Sequence, residues 1–219
     1  MAGYDYCEPD MISLISYRNI EHKFYGEISW VDSPTDFYVN IIQGKDWSVY
    51  LDLVEDMQKF YKNYHSKCYI DKGSVGQLVA VKTDGKSHWQ RGCIKKVVSR
   101  DIYDVFMIDS GYTQYDTDER DIRLLRSKFA DYCPAQAIPV KLAFVEPMKG
   151  HWSKSAVSLM KDYMDKELFI KCISTEITRE CCRYPVVLLD KYKENFIITN
   201  KLVKHGYCEF EESTEMYNN

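Results

Sequence analysis

Five short apolar segments follow one another between residues 76 and 125, and polar turn residues separate each one from the next. Short runs rich in β-branched and aromatic residues, bounded by glycine, aspartate and serine, are typical of strands. Several of them in close succession predict a small antiparallel barrel. The segments are 78–81, 89–98, 103–108, 112–115 and 121–125.

The residues before this region predict a hairpin and then a helix. Two β-rich runs, 28–31 and 37–42, flank a turn at Ser33-Pro34 and are typical of a hairpin. Apolar residues between 46 and 64 then recur at helical spacing, and Ser48 is the predicted N-cap.

The residues after Pro134 alternate between the two kinds of pattern. Apolar runs at 137–144, 168–173 and 186–189 predict strands, and helical spacing between 156 and 164 predicts a helix. A final helix is predicted to begin at Asn200 as its N-cap and to end at Gly206.

Composition narrows the classes of function. The net charge of -4 disfavours a nucleic-acid backbone as the principal ligand, because that ligand needs a concentrated basic face. No apolar run reaches the length of about 18 residues that a membrane helix needs. Eight scattered cysteines without zinc-site spacing predict mostly buried, reduced thiols in an intracellular protein.

Two stretches carry a resemblance to a known family. GQLVAVKTDGKSHWQRGCIKKV, followed by YDVFMIDSGYTQYDTDERDIRLL, resembles a Tudor barrel. ISWVDSPTDFYV before it, CPAQAIPVKL after it and NKLVKHGY near the end resemble the flanks of the extended Tudor domain. The resemblance implies a mainly β fold with α-helices, in which a Tudor β-barrel is inserted into a staphylococcal-nuclease-like, OB-type α+β domain.

The resemblance also implies a division of the chain. It assigns 20–45 and 128–212 to the nuclease-like half, 46–72 to a linker helix and 73–127 to the Tudor barrel. Such domains are binding modules and not enzymes, so we expect no catalytic residue, no metal and no cofactor.

The partner that the resemblance implies is the arginine-rich N-terminal tail of a Piwi-family Argonaute. We expect no direct nucleic-acid partner and no membrane association, and self-association through other regions of a full-length protein stays open. The implied location is the cytoplasm, in a perinuclear germ granule (nuage), within the piRNA pathway of gene silencing.

In this family, four aromatic rings usually surround the dimethylated arginine and hold its guanidinium group by cation–π attraction. The first ring position falls on Lys82 or Thr83, and the second falls on Gln90. The third and fourth become Met107 and Ser110, and the asparagine beside the cage becomes Tyr112. The cage is therefore degenerate.

Two interpretations of this degenerate cage remain open. The domain either binds an unmethylated arginine through polar and acidic groups or has lost arginine binding and acts as a scaffold or dimerisation piece. The predicted peptide-binding residues are Lys82, Gln90, Met107, Asp109, Ser110, Tyr112, Asp116 and Asp118. Asp109 is equally a candidate for capping its own turn, and the acidic run 116–121 is equally a solvated face. Apart from these two interpretations, the resemblance also allows that the chain is a conventional domain that binds dimethylated arginine.

The nuclease-like half does not predict a nuclease. Calcium-dependent phosphodiester cleavage needs clustered carboxylates together with arginines for the phosphate. Glu27, Asp32 and Asp36 are present, but no arginine occurs between Arg18 and Arg91. Single-stranded nucleic acid is also a poor candidate, because the lysines are spread out and matched by acidic residues.

Overall fold

The structure is a computed structural model that describes residues 20–64, 69–70, 72–83, 88–175, 182–189 and 197–211. The chain divides into two compact units, one formed by 44–136 and the other by 19–43 together with 137–219. The predicted turn 84–87, Cys7, Cys68, Cys181 and part of the predicted linker lie outside the described residues.

The first unit contains the five-stranded sheet that the closely spaced segments predict. Its strands are antiparallel and lie in the order β6-β5-β4-β3-β7. Helix α1 precedes them, and a 3-10 turn and the short helix α2 follow β6 and β7 respectively. The bounds are α1 Gly44–Tyr64, β3 Leu78–Lys82, β4 Trp89–Ser99, β5 Ile102–Met107, β6 Thr113–Asp118, the 3-10 turn Glu119–Asp121, β7 Ile122–Leu124 and α2 Ser127–Ala130.

The two faces of this sheet have separate cores. Val79 and Val81 of β3 point to one face, where they pack with Ile94, Val105 and Met107 of β4 and β5. Side chains of a strand alternate between faces, so Ala80 points the other way. It packs there with Leu53, Met57 and Tyr61 of α1, and with Trp89. We call these the inner face and the helix face of the sheet.

The second unit is a closed five-stranded barrel in the order β1-β10-β11-β8-β2. All its strand pairs are antiparallel except β8 with β11, which is parallel. Strand β9 and helix α3 lie between β8 and β10 in the chain, and β9 pairs with β12 in a separate two-stranded sheet. The bounds are β1 Lys23–Ser33, β2 Asp36–Ile41, β8 Ile138–Leu142, β9 Val145–Pro147, α3 Lys154–Lys161, β10 Leu168–Cys172, β11 Tyr184–Leu189, α4 Ile197–Lys204 and β12 Cys208–Phe210.

This barrel has the Greek-key order of an OB-fold, which confirms the predicted fold class. Its core consists of the inward side chains of the five strands with those of α3 and α4, among them Ile28, Val39, Val140, Ile170 and Leu202. Two sequence segments, 19–43 and 137–219, build this one barrel, so the first unit is an insertion in the second.

Several element boundaries differ from the prediction. Helix α1 begins at Gly44, so Ser48 lies inside it and is not the N-cap. Helix α4 begins at Ile197, so Asn200 is also internal, although the chain does leave this helix at Gly206 with φ +68°. Strand β4 is continuous over 11 residues. The unit that holds the five-stranded sheet also includes α1 and residues 128–136, which the prediction assigned elsewhere.

Among the described residues, no helix is long and apolar enough to cross a membrane. The cysteines that the structure describes are all free thiols; Cys133, Cys172 and Cys208 are buried, Cys93 is half-buried and Cys182 is exposed. The prediction of buried thiols is therefore correct for three of these five.

Candidate functional site

The register of β3 against β4 decides which side chains reach the inner face. Residues directly opposite each other in an antiparallel pair lie on the same face. Gln90 is opposite Val81 and therefore lies on the inner face, whereas Lys82 is opposite Trp89 on the helix face. The Trp89 ring lies 5.2 Å from that of Tyr61 of α1, so Trp89 belongs to the core.

A tight turn follows β5 at the same end of the sheet. The amides of Ser110 and Gly111 donate to the carbonyl of Met107 at 3.2 and 2.8 Å, and the Met107 amide donates to the Tyr112 carbonyl at 2.8 Å. Gly111 has φ +84°, a conformation that glycine adopts without strain. The turn places the Ser110 hydroxyl 3.4 Å from the Gln90 side-chain oxygen, to which it donates.

Gln90, Ser110 and Tyr112 therefore gather at one end of the inner face, and we call them the mouth residues. All three are half-buried, and Tyr112 packs against the inner-face core. Met107 lies in that core with no exposed surface, opposite Gly92. The mouth offers an amide, an aliphatic hydroxyl and a phenol, which can donate and accept hydrogen bonds.

Asp109 faces away from this mouth. Its carboxylate accepts two hydrogen bonds from Arg91, from Nε at 2.9 Å and from Nη2 at 2.7 Å, and both side chains are almost fully buried. The backbone amide of Gln136 donates to the same carboxylate at 3.1 Å. Asp109 is thus part of the internal structure of the unit, where Arg91 and the Gln136 amide hold its carboxylate.

The remaining donors of Arg91 bind backbone carbonyls of α2 and of the segment that follows it. They reach the oxygens of Phe129, Cys133 and Pro134 at 3.2, 2.8 and 3.0 Å. Burial by itself lowers the pKa of Arg91, but the charge of Asp109 and the hydrogen bonds to it outweigh burial and raise the pKa. The guanidinium is therefore a permanent charge that ties β4, the turn and the segment 129–134 together.

Asp116 and Asp118 lie at the opposite end of the sheet. Asp118 is opposite Ile102, the first residue of β5, whereas Ser110 and Tyr112 of the mouth follow Met107, the last residue of that strand. Asp118 binds Arg120 through both carboxylate oxygens, and these hydrogen bonds lower the pKa of Asp118 to about 2. The structure therefore does not bring the two aspartates together with Gln90 and Ser110.

Lys82, the last residue of β3, lies on the helix face, whereas Thr83 directly after it lies on the side of the inner face. The alternation that puts Val79 and Val81 on the inner face continues to Thr83, whose amide donates to the His88 carbonyl at 3.0 Å. The first cage position was predicted at Lys82 or Thr83, and the pairing of Lys82 with Trp89 leaves Thr83 as the residue on the inner face. Lys82 contributes its backbone carbonyl, which accepts from Gln114 at 3.4 Å.

Among the described residues, no group of three or more His, Cys, Asp or Glu side chains is placed to hold a metal ion. The mouth is thus a polar opening at one end of an apolar sheet face, and its own groups supply only hydrogen bonding and partial apolar contact.

Comparison with known proteins decides the family. The family model of the Tudor domain matches residues 19–144, which is more than half of the chain. The chain belongs to the Tudor domain family. Human Tudor domain-containing protein 5 is 27% identical over 137 residues, which cover 59% of this chain and 14% of that protein. RING finger protein 17 of Mus musculus is 27% identical over 201 residues, 86% of this chain and 11% of that protein. This Tudor chain thus spans a small part of the length of these relatives.

Solved structures show that the fold is that of an extended Tudor domain. The human TDRD1 extended Tudor domain, in complex with a symmetrically dimethylated peptide, superposes with a TM-score of 0.75 at 19% identity, covering 89% of this chain and 93% of that one. A mutant of the Drosophila melanogaster Papi extended Tudor domain superposes with a TM-score of 0.75 at 21% identity, covering 87% and 100%. Its structures contain Piwi N-terminal peptides, one with a methylated arginine and one with the same arginine unmethylated.

Proposed function

We propose that this Tudor chain is a non-catalytic module that binds an unmethylated arginine in an N-terminal tail of a Piwi-family Argonaute. The observation that carries the proposal is the chemistry of the mouth, where Gln90 and Ser110 lie within hydrogen-bonding distance at positions that are aromatic in the family. The bound arginine would lie against these two residues, Thr83 and Tyr112.

The state of the arginine follows from its hydrogen-bonding capacity. An unmodified guanidinium carries five N–H donors in a fixed fork and is matched by oxygen acceptors. Dimethylation replaces donors with methyl groups and spreads the charge, so a methylated guanidinium gains more from aromatic faces. The Gln90 and Ser110 oxygens suit the unmodified form, and Tyr112 is the one mouth residue with a ring for the arginine stem.

The relatives support a peptide as the ligand. Papi holds both a methylated and an unmethylated Piwi N-terminal peptide on this fold, so the fold itself does not require the modification. Among extended Tudor domains, the degenerate cage resembles that of the first such domain of Krimper, which is associated with Piwi proteins whose arginines are not methylated. The proposed role is retention of a Piwi protein before methylation, during piRNA-pathway assembly in a cytoplasmic germ granule.

A scaffold without arginine binding is the second candidate. The observation that favours it is the complete burial of Met107, which fills the position of a third cage residue with core side chain. A shallower mouth would then have no deep pocket for an arginine, and the chain would contribute only to assembly.

Calorimetric titration with matched arginine-rich peptides tests the proposal. We expect the unmethylated peptide to bind at least as tightly as the symmetrically dimethylated one, and a peptide with lysine in place of arginine to bind more weakly. The variant Gln90→Ala/Ser110→Ala is expected to lose binding, and Asp118→Asn, changed at the opposite end of the sheet, is the control. A tenfold preference for the dimethylated peptide would overturn the proposal, and no binding of either peptide would favour the scaffold.

A further inference from the structure

Strand β4 extends well beyond its partner β3. The last residue pair between them is Leu78 with Cys93. Two further backbone hydrogen bonds involve Ile94: the Gly76 amide donates to the Ile94 carbonyl at 2.8 Å, and the Ile94 amide donates to the Gln77 carbonyl at 3.0 Å. Residues Lys95–Ser99 pair with β5 along one side only. Across the ranges that the structure describes, no backbone hydrogen bond joins their other side to any element. We call this segment the β4 edge.

The side chains of the β4 edge are all exposed. Val97 and Val98 each expose 42% of their surface, although both side chains are apolar. Register shifts occur between Ile94 and Lys96 and between Val97 and Ser99, and such irregularities generally increase the local twist of a strand pair. An edge with unpaired backbone groups and exposed valines is a template for an added strand.

The charge of the β4 edge is opposite in sign to that of the whole chain. Lys95, Lys96 and Arg100 lie within six residues, and the adjoining acid is Asp101, 4.0 Å from Arg100. Lys96 is opposite Asp104, but that carboxylate is buried and accepts a hydrogen bond from the Asp116 amide. The chain as a whole carries -4.

Charge selects among the partners that such an edge could take. Lysines on an edge repel a second copy of the same edge, which is how proteins prevent self-pairing. The same lysines attract an extended segment that carries carboxylates. Nucleic acid is a poorer match, because stacking of bases needs aromatic rings and the sequence from Lys95 to Asp101 contains none.

We propose that the β4 edge binds an acidic, extended peptide segment by strand addition. Main-chain hydrogen bonds would provide the affinity, and carboxylates on the peptide would meet Lys95, Lys96 and Arg100. Apolar residues of the peptide would contact Val97 and Val98. Five edge residues at about 3.4 Å each span about 17 Å, so the bound segment has about five to seven residues. This surface does not depend on the arginine site proposed above.

Fluorescence anisotropy of labelled peptides with the 219-residue chain tests this inference. One nine-residue peptide alternates glutamate with valine, and its charge-inverted counterpart alternates lysine with valine. We expect the glutamate peptide to bind and to weaken at least tenfold in the variant Lys95→Glu/Lys96→Glu. That variant is expected to gain binding of the lysine peptide. The matched control is Lys154→Glu/Lys171→Glu, which makes the same change of charge at two exposed positions of the other unit.

A second measurement distinguishes strand addition from a diffuse charge effect. Addition of a strand protects main-chain amides, so hydrogen exchange of residues 95–99 should slow when the glutamate peptide is bound. Equal weakening in the control variant, or binding without slower exchange in 95–99, would overturn the proposal. Retention of single-stranded RNA that depends on Lys95 and Lys96, without peptide binding, would overturn it as well.

Discussion

Arg91 and Asp109 form a bidentate ion pair inside the first unit, with N–O distances of 2.9 and 2.7 Å. Arg91 comes from β4 directly after Gln90, and Asp109 directly precedes Ser110 in the turn. The pair therefore fixes the distance between the two residues that form the polar part of the mouth. Arginine suits this position because its planar fork can satisfy a carboxylate and several carbonyls at once.

Replacing Asp109 with asparagine should destabilise the chain strongly. The substitution keeps the shape of the side chain but leaves a buried guanidinium without its counter-charge, which typically costs about 3–5 kcal/mol. Urea unfolding followed by tryptophan fluorescence measures the change. The control is Asp131→Asn, at an exposed residue of the same unit. Similar midpoints for the two variants would show that the ion pair contributes little to stability.

Aromatic rings at the mouth should change which arginine the chain prefers. Gln90→Tyr/Ser110→Tyr introduces two rings at half-buried positions, and aromatic faces attract a cation that has lost hydrogen-bond donors. We expect affinity for the symmetrically dimethylated peptide to rise at least fivefold relative to the unmethylated one, measured by calorimetry. The control Lys82→Tyr places a ring on the helix face and should leave the ratio unchanged. An unchanged ratio in the double variant would mean that the mouth does not contact the arginine.

The sequence was sufficient to predict most of the architecture but not the composition of the site. The strands could be predicted because the alternation of apolar and polar residues along a strand is a property of the local sequence. The motifs around Trp89 and Asp109 then indicated the family. The sheet face on which Lys82 lies depends on its pairing with Trp89. A shift of this pairing by one residue would move the side chain to the other face, and the sequence alone does not fix the pairing. The burial of Met107 and the Asp109–Arg91 pair depend on contacts between residues far apart in sequence, and these cannot be inferred from a local pattern.

Glu27 should make the stability of the second unit depend on pH. Burial raises the pKa of Glu27, and the nearby charge of Asp165 raises it further. Its contribution to stability is therefore full below the ordinary value of 4.5 and is lost as pH rises through the elevated pKa. Glu27→Gln should accordingly raise the melting temperature at pH 7 relative to the unmodified chain, and this gain should shrink at pH 4. Glu21→Gln, at an exposed position, is the control, and an equal gain at both pH values would exclude titration of Glu27 as the cause.

Gly92 should resist replacement by alanine. A Cβ atom at this position would lie 2.6 Å from Cγ1 of Val105 and 3.0 Å from Cγ2 of Val81. Because both valines are fully buried on the inner face, the added methyl group overpacks the core, which typically costs about 1–3 kcal/mol. Val105→Ala removes the closest of these contacts at the expense of a cavity. In a double-mutant cycle measured by urea unfolding, Gly92→Ala/Val105→Ala should therefore be less destabilised than the sum of the two single variants. Strict additivity would show that the strand shifts to accommodate the methyl group without contacting Val105.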